Sequence, residues 1–351
     1  MKNLFTLIAF ICFFVVNDTA VAASPAPPTQ WDRSSAMAAA RSVNIEKAVY
    51  EIGNVSSLAD GEATLRQLKQ LETRNDWPQP AREAALYEFT RSLAGLPREA
   101  VAIEVIQHLQ NYQSQTLVPH EDHGNTLVPL FNIRGAATGI ENGWRRTEFT
   151  VEAARLIETD PARLVSGYME SADRNRRSGY LDALPLADMI DVTAVQNAAL
   201  EQFDQNPALT RLIGATAVIT GDNIAAQQLL INGRGAGLAT ALRQLDEGLQ
   251  APETAALLIF AIQNAPASNA SLAIAAWWPR LRHEADIRDL LVDKLADPSL
   301  GAAAALALAQ SPDIQTIKAL QDTASDNSMA AKRAQIALDI NRDLLAGELQ
   351  P

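Results

Sequence analysis

The run Leu295-Ala296-Asp297-Pro298-Ser299-Leu300-Gly301-Ala302, its alanine-rich continuation to Leu308, and the two stretches that follow, Asp313-Ile314-Gln315-Thr316-Ile317 and Asn327-Ser328-Met329-Ala330-Ala331-Lys332-Arg333, decide the fold. Aspartate before proline sets a capping carboxylate beside a residue whose φ already suits a first helical turn and whose missing N–H costs nothing there. Asp297-Pro298 therefore reads as a helix start, and Asp313 caps a further segment that carries Ile314, Ile317 and Leu320 at helical spacing. Within the same region Ala304-x-Leu306-Ala307-Leu308 returns thirty residues later as Ala334-x-Ile336-Ala337-Leu338.

Helix-start prolines recur upstream. Asp160-Pro161, Asn206-Pro207, Ala251-Pro252 and Asp297-Pro298 are spaced by 46, 45 and 46 residues. Thirty and forty-five are both multiples of about fifteen, one short helix with its turn, so the first period is two helices and the second three. From 34 to 344 the chain breaks into roughly eighteen helical-period segments divided by Pro, Gly, Asn or Asp, with no alternating strand pattern. Behind Pro97, for example, Ala102, Val105, Ile106, Leu109 and Tyr112 make one apolar stripe.

An Asp-Pro or Asp-Asn turn, an alanine-rich first helix and a second helix rich in Leu and Ile resemble the HEAT and armadillo-like α-solenoid superfamily, closely over about residues 250–344 and more weakly over 80–250. The resemblance implies an all-α, right-handed α-solenoid over 34–344, with a scaffold or docking role on its concave face and usually no catalysis.

Composition agrees with helix and narrows the partners. Of 351 residues 62 are alanine, the strongest intrinsic helix former. Acidic residues exceed basic ones, 41 to 29, and the net charge of −12 speaks against a phosphate-backbone partner, so a protein partner is expected and no nucleic acid. Met1-Lys2, the apolar run Leu4–Val16 and Ala20-Val21-Ala22-Ala23 form the three regions of a secretory signal peptide over 1–23. The run is too short to span a bilayer, and no transmembrane segment is expected in the mature chain. Cys12, the only cysteine, lies within that signal. Ala9-Phe10-Ile11 before it does not make a lipobox, so the chain is expected to be periplasmic or secreted and not a lipoprotein, with no thiol in its mature form. Residues 24–33 read as a disordered Pro-rich leader and 345–351 as a tail.

One stretch departs from the rhythm. Residues 113–131 are an insertion in which Thr116-Leu117-Val118-Pro119 recurs as Thr126-Leu127-Val128-Pro129, a pattern for a β-hairpin or Ω-loop about a Gly124-Asn125 turn. Between the two copies, His120, Glu121, Asp122 and His123 offer imidazole and carboxylate groups. His120, Asp122 and His123 are the candidate ligands for a divalent metal such as zinc, although four polar residues at a loop tip are also what solvation alone would select. Arginine clusters at Arg145-Arg146 and at Arg174, Arg176 and Arg177, which suits docking of carboxylates or phosphates or, by default, pairing with Glu141, Glu148, Glu170 and Asp173. His108 and His283 read as structural, and the pair Trp277-Trp278 is expected to send one ring into the core and leave one at the surface.

No Gly-x-Ser-x-Gly elbow or Walker loop occurs. Gly233-Arg234-Gly235-Ala236-Gly237 lacks a preceding strand and reads as a joint between helices, not as a phosphate cradle. The expected function is an exported protein-binding scaffold. The alternative is a helical-repeat hydrolase or lyase that uses the 120–123 loop as a metal or acid/base site.

Overall fold

The computed structural model describes residues 29–53, 58–123 and 126–347, so the signal peptide lies outside the described residues. The fold is all-α apart from one small three-stranded sheet. The chain divides into two compact units, Met1–Ile140 and Glu141–Pro351, where the sequence suggested a single array from 34 to 344.

The first unit holds β1 (Thr29–Gln30), α1 (Arg33–Ala40), α2 (Ile45–Gly53), α3 (Gly61–Glu72), α4 (Gln79–Ser92), α5 (Ile103–Gln110), β2 (Thr116–Pro119) and β3 (Leu127–Pro129). α4 is its centre: α1, α2 and α3 all pack on it, and Ala81, Ala84, Ala85, Leu86 and Phe89 are buried there. Small side chains on α4 let its neighbours approach closely, and Phe89 supplies the apolar volume.

The leader expected over 24–33 ends earlier than that. Thr29 and Gln30 pair in parallel with Thr116 and Leu117, and Asp32 accepts from the Ser35 backbone N–H at 2.9 Å to cap α1. An extended segment beside an unpaired strand edge satisfies its backbone groups by joining the sheet. β2 and β3 form the hairpin that the repeated Leu-Val-Pro suggested, in antiparallel register with Val118 opposite Val128; the Gly124-Asn125 turn lies outside the described residues.

Glu83 anchors this hairpin from below. Its carboxyl group, fully buried on α4, accepts from the backbone N–H groups of Gln115 (2.5 Å) and Thr116 (3.1 Å), and from Gln79 Nε2 and the Tyr112 hydroxyl. Burial, followed by the nearby Glu83 and Glu72, pushes the Tyr112 hydroxyl far above its ordinary range, so it stays a protonated donor.

The 27-residue helix α6 (Ile133–Thr159) carries the division between the units. The second unit continues with α7 (Pro161–Glu170), α8 (Arg174–Ala183), α9 (Met189–Leu200), α10 (Thr210–Thr220), α11 (Asn223–Asn232), α12 (Gly235–Gly248), α13 (Ala251–Asn264), α14 (Ala267–Leu281), α15 (Ala285–Lys294), α16 (Gly301–Ala309), α17 (Ile314–Thr323) and α18 (Met329–Gly347). α18 thus runs past residue 344, where the sequence placed the start of a tail.

Packing in this unit follows parity. α10, α12, α14, α16 and α18 each pack on the next in that series, as do α7, α9, α11, α13, α15 and α17 in theirs. The odd helices start at 161, 189, 223, 251, 285 and 314, about thirty residues apart. Two helices therefore make one unit, and Ala304–Leu308 on α16 and Ala334–Leu338 on α18 are equivalent segments of packed neighbours. The proline spacing of 45 or 46 steps over three helices and so falls alternately in one series and then the other.

The prolines mark turns more loosely than the sequence suggested. Asp160 does cap α7 by accepting from Arg163 N. Pro207 instead opens a short 3-10 turn before α10, and Asn206 turns back to donate to the Gln202 carbonyl. Asp297 accepts from Ser299 and Leu300 N, but α16 begins only at Gly301.

Close approach explains the small residues. A Cβ on Gly214 of α10 would lie 2.4 Å from Cβ of Ala241 on α12, so this crossing tolerates only glycine. Side chains also satisfy helix ends: Asn269 donates to the Leu230 and Gly233 carbonyls, Asn341 to those of Ala309 and Ser311, and Arg333 to those of Leu295 and Asp297. Such bonds satisfy carbonyls at helix ends that have no further turn of helix to pair with. Both tryptophans of the 277-278 pair are buried, which corrects the expectation of one at the surface. Trp277 Nε1 donates to the Leu242 carbonyl at 2.9 Å, so its polar atom is satisfied inside the core.

Candidate functional site

The sequence singled out three places, and the structure treats each differently. At the hairpin tip the His120 and His123 rings stack 5.3 Å apart, His120 Nδ1 accepts from the Asp122 backbone N–H, and Glu121 pairs with Arg33 at 3.4 Å. Glu121, Asp122 and His123 are exposed and His120 is half-buried. Among the described residues no group of three or more His, Cys, Asp or Glu side chains is placed to hold a metal ion. His108 is structural in its contacts, bonding Glu72 at 2.6 Å to tie α5 to α3.

The arginines separate into two sets. Arg145 pairs with Asp173 at 2.6 Å, Arg146 with Asp182 through Nε and Nη2, and Arg176 with Glu152 at 2.7 Å, with Arg176 also donating to the Tyr180 hydroxyl. These are partly exposed pairs of modest worth, and they fasten α8 to α6. Asp182 and Glu152 were not among the expected partners, because helix packing chooses them across 36 and 24 residues of chain.

Arg174 and Arg177 belong to the second set. Arg177 donates to the Tyr168 and Met169 carbonyls at the end of α7, while Arg174 is exposed and makes no ion pair. Both line a cavity of about 500 Å³ together with Arg211 at the start of α10 and Arg234 just before α12. Burial pushes the Tyr168 hydroxyl on its wall above its ordinary range, with Arg211 and Arg177 pulling the other way. Arg234 donates to the Ile231 and Gly233 carbonyls, and its backbone N–H donates to the Thr210 hydroxyl, which holds the Gly233–Gly237 turn against the start of α10.

A second cavity of about 620 Å³ adjoins the first, sharing Ser178 and Arg211, and extends across α8, α10 and α12 to Leu181, Pro185, Val218 and Ile219. Next to Pro185 in the chain, Leu186, Met189 and Ile190 are 77%, 59% and 83% exposed.

Arg211, Arg234 and this apolar segment escaped the reading of the sequence. Arg174, Arg211 and Arg234 lie far apart in the chain, and only the packing of the second unit brings them to one cavity. The available signal was positional: each stands at or beside the start of a helix.

No helix among the described residues is long and apolar enough to cross a membrane. No family model matches the chain, and no match was found among curated proteins or solved structures.

Proposed function

We propose that this chain is an exported protein-binding scaffold, a HEAT or armadillo-like α-solenoid acting in the periplasm or outside the cell. The solenoid reading is supported by parity packing in the second unit and by its period of about thirty residues, since each helix pair leaves an apolar face that the next pair covers. One observation carries the binding role: Leu186, Met189 and Ile190 stand in water within five residues of chain, beside the half-apolar cavity bounded by Pro185, Leu181 and Ile219. Large apolar side chains grouped on a surface mark contact sites, and a partner burying them gains about 1.5–3 kcal/mol per side chain.

The test pairs crosslinked pull-down from native cells with a double variant, Leu186→Asp/Ile190→Asp. Both positions are exposed, so the variant should keep its circular dichroism and melting midpoint while losing specific partners that the wild type retains. An identical partner set for both proteins removes the docking assignment. Export is checked separately by N-terminal sequencing of the native protein, which should begin at Ala23 or Ser24; a chain that begins at Met1 removes it.

A further inference from the structure

Four arginines, Arg174, Arg177, Arg211 and Arg234, line the cavity of about 500 Å³, and no acidic residue lines it with them. None of the four is in an ion pair among the described residues, whereas Arg145, Arg146 and Arg176 nearby all are. In a chain with 41 acidic residues against 29 basic ones, a fourfold positive cavity without a counter-charge is the opposite of what composition supplies by default. Mutual repulsion among four cations is an electrostatic cost that a bound anion relieves.

The backbone adds donors of the same sense. The first turns of α8, α10 and α12 contribute Arg174, Arg177 and Ser178, then Thr210 and Arg211, then Gly237. α12, a helix of 14 residues, has no side chain capping its first turn and so presents its positive end there, whereas α10 continues from the 3-10 turn at Pro207–Leu209, with Thr210 N–H bonded to the Pro207 carbonyl. The Gly233–Gly237 turn belongs to this arrangement. Gly235 has φ +64°, a left-handed conformation that leaves α12 starting sharply at the cavity wall, and a Cβ on Gly237 would press on Arg211 Cγ at 3.2 Å. The sequence offered this turn as a helix joint; its placement makes it a wall of an arginine-lined site.

We propose that this cavity binds the phosphoryl group of a small phosphorylated molecule, with Arg174 and Arg211 as ligand-facing cations, and Arg177 and Arg234 held in place by carbonyls at the ends of α7 and α11. A dianionic phosphoryl group presents acceptor oxygens in several directions and matches both the forked guanidinium donors and helix N-termini, where one carboxylate would leave most of the charge unanswered. The site adjoins the cavity beside the proposed docking surface and shares Ser178 and Arg211 with it, whereas Leu186, Met189 and Ile190 do not line it.

Isothermal titration of the full mature chain at fixed ionic strength tests it, using inorganic phosphate, pyrophosphate and citrate as probes. Pyrophosphate is expected to bind saturably at one site per chain, and inorganic phosphate more weakly at the same site. Arg211→Gln/Arg234→Gln, at two exposed positions, should weaken pyrophosphate at least about tenfold while the melting midpoint stays at the wild-type value. Arg243→Gln, outside the cavity, should bind as wild type does. Absence of saturable pyrophosphate binding, equal affinity in the double variant, or binding of citrate in preference to pyrophosphate each overturns the assignment.

Discussion

Replacing Glu83 with glutamine changes one oxygen to NH₂ and should nonetheless destabilise the first unit substantially. The carboxyl accepts through Oε1 from Gln115 N, Gln79 Nε2 and the Tyr112 hydroxyl, and through Oε2 from Thr116 N. Whichever way a glutamine amide is turned, its NH₂ group meets a backbone N–H, donor against donor, in a fully buried position. One charge-assisted bond is lost and one buried N–H is left unpaired, so the loss should be about 1–3 kcal/mol. Glu83→Ala orphans both N–H groups and opens a cavity, for a loss of about 3–5 kcal/mol. Urea unfolding followed by fluorescence of Trp31 and Trp77, the two tryptophans of this unit, reads the global effect. Amide exchange at Gln115 and Thr116 reads the local one and should accelerate well before the rest of the unit does. A glutamine variant within about 0.5 kcal/mol of wild type, with exchange at those two amides unchanged, would refute the claim that Glu83 holds the hairpin.

Four further outcomes follow from the same contacts. Trp277→Ala should cost about 3–5 kcal/mol in the second unit, since a fully buried ring is deleted and the Leu242 carbonyl loses its donor; urea midpoints check it. Asn269→Ala removes the side-chain donor to the Leu230 carbonyl and one of the two to the Gly233 carbonyl, and should cost about 1–3 kcal/mol by the same assay. Backbone N–H bonds, from Leu300 first and then Ser299, hold the Asp297 carboxyl below its ordinary 3.8. Because the folded value is the lower one, the stabilisation is fully present above the unfolded value and is lost as pH falls through the folded one. The gap in urea midpoint between wild type and Asp297→Asn should therefore shrink as pH is lowered from 5 to 2; a gap that is constant with pH contradicts the capping role. At the hairpin tip, two stacked imidazoles with no third ligand among the described residues predict that added zinc leaves the melting midpoint unchanged; a rise of several degrees would show a complete site.

Local chemistry was legible in the chain because its causes lie within a few residues. Asp313 caps α17 as its position before Ile314 foretold, and Leu-Val-Pro repeated at ten residues folds as a hairpin because the pieces need only find each other. Burial was less legible where it depended on partners. The pair Trp277-Trp278 reads as one core ring and one surface ring, yet both are buried, and no helical period in the local sequence reports that a helix is covered on more than one side. The ordered strand at Thr29–Gln30 was hidden for the same reason, since its partner is 87 positions away at Thr116 and Leu117.

The arginines show how this limit bears on function. Clusters written consecutively, such as Arg145-Arg146, attract notice in a sequence, yet adjacent residues on a helix point about 100° apart and are apt to find separate carboxylates, as Arg145 does with Asp173 and Arg146 with Asp182. Arginines near the starts of different helices look isolated in the sequence, but the fold brings them to one cavity, as with Arg174, Arg211 and Arg234. In a helical array the charge that matters for binding is therefore found by comparing helix starts that the fold brings together, not neighbours in sequence. A net charge of −12 and a fourfold positive cavity are compatible, because the first is summed over the chain and the second is set by which helix starts meet.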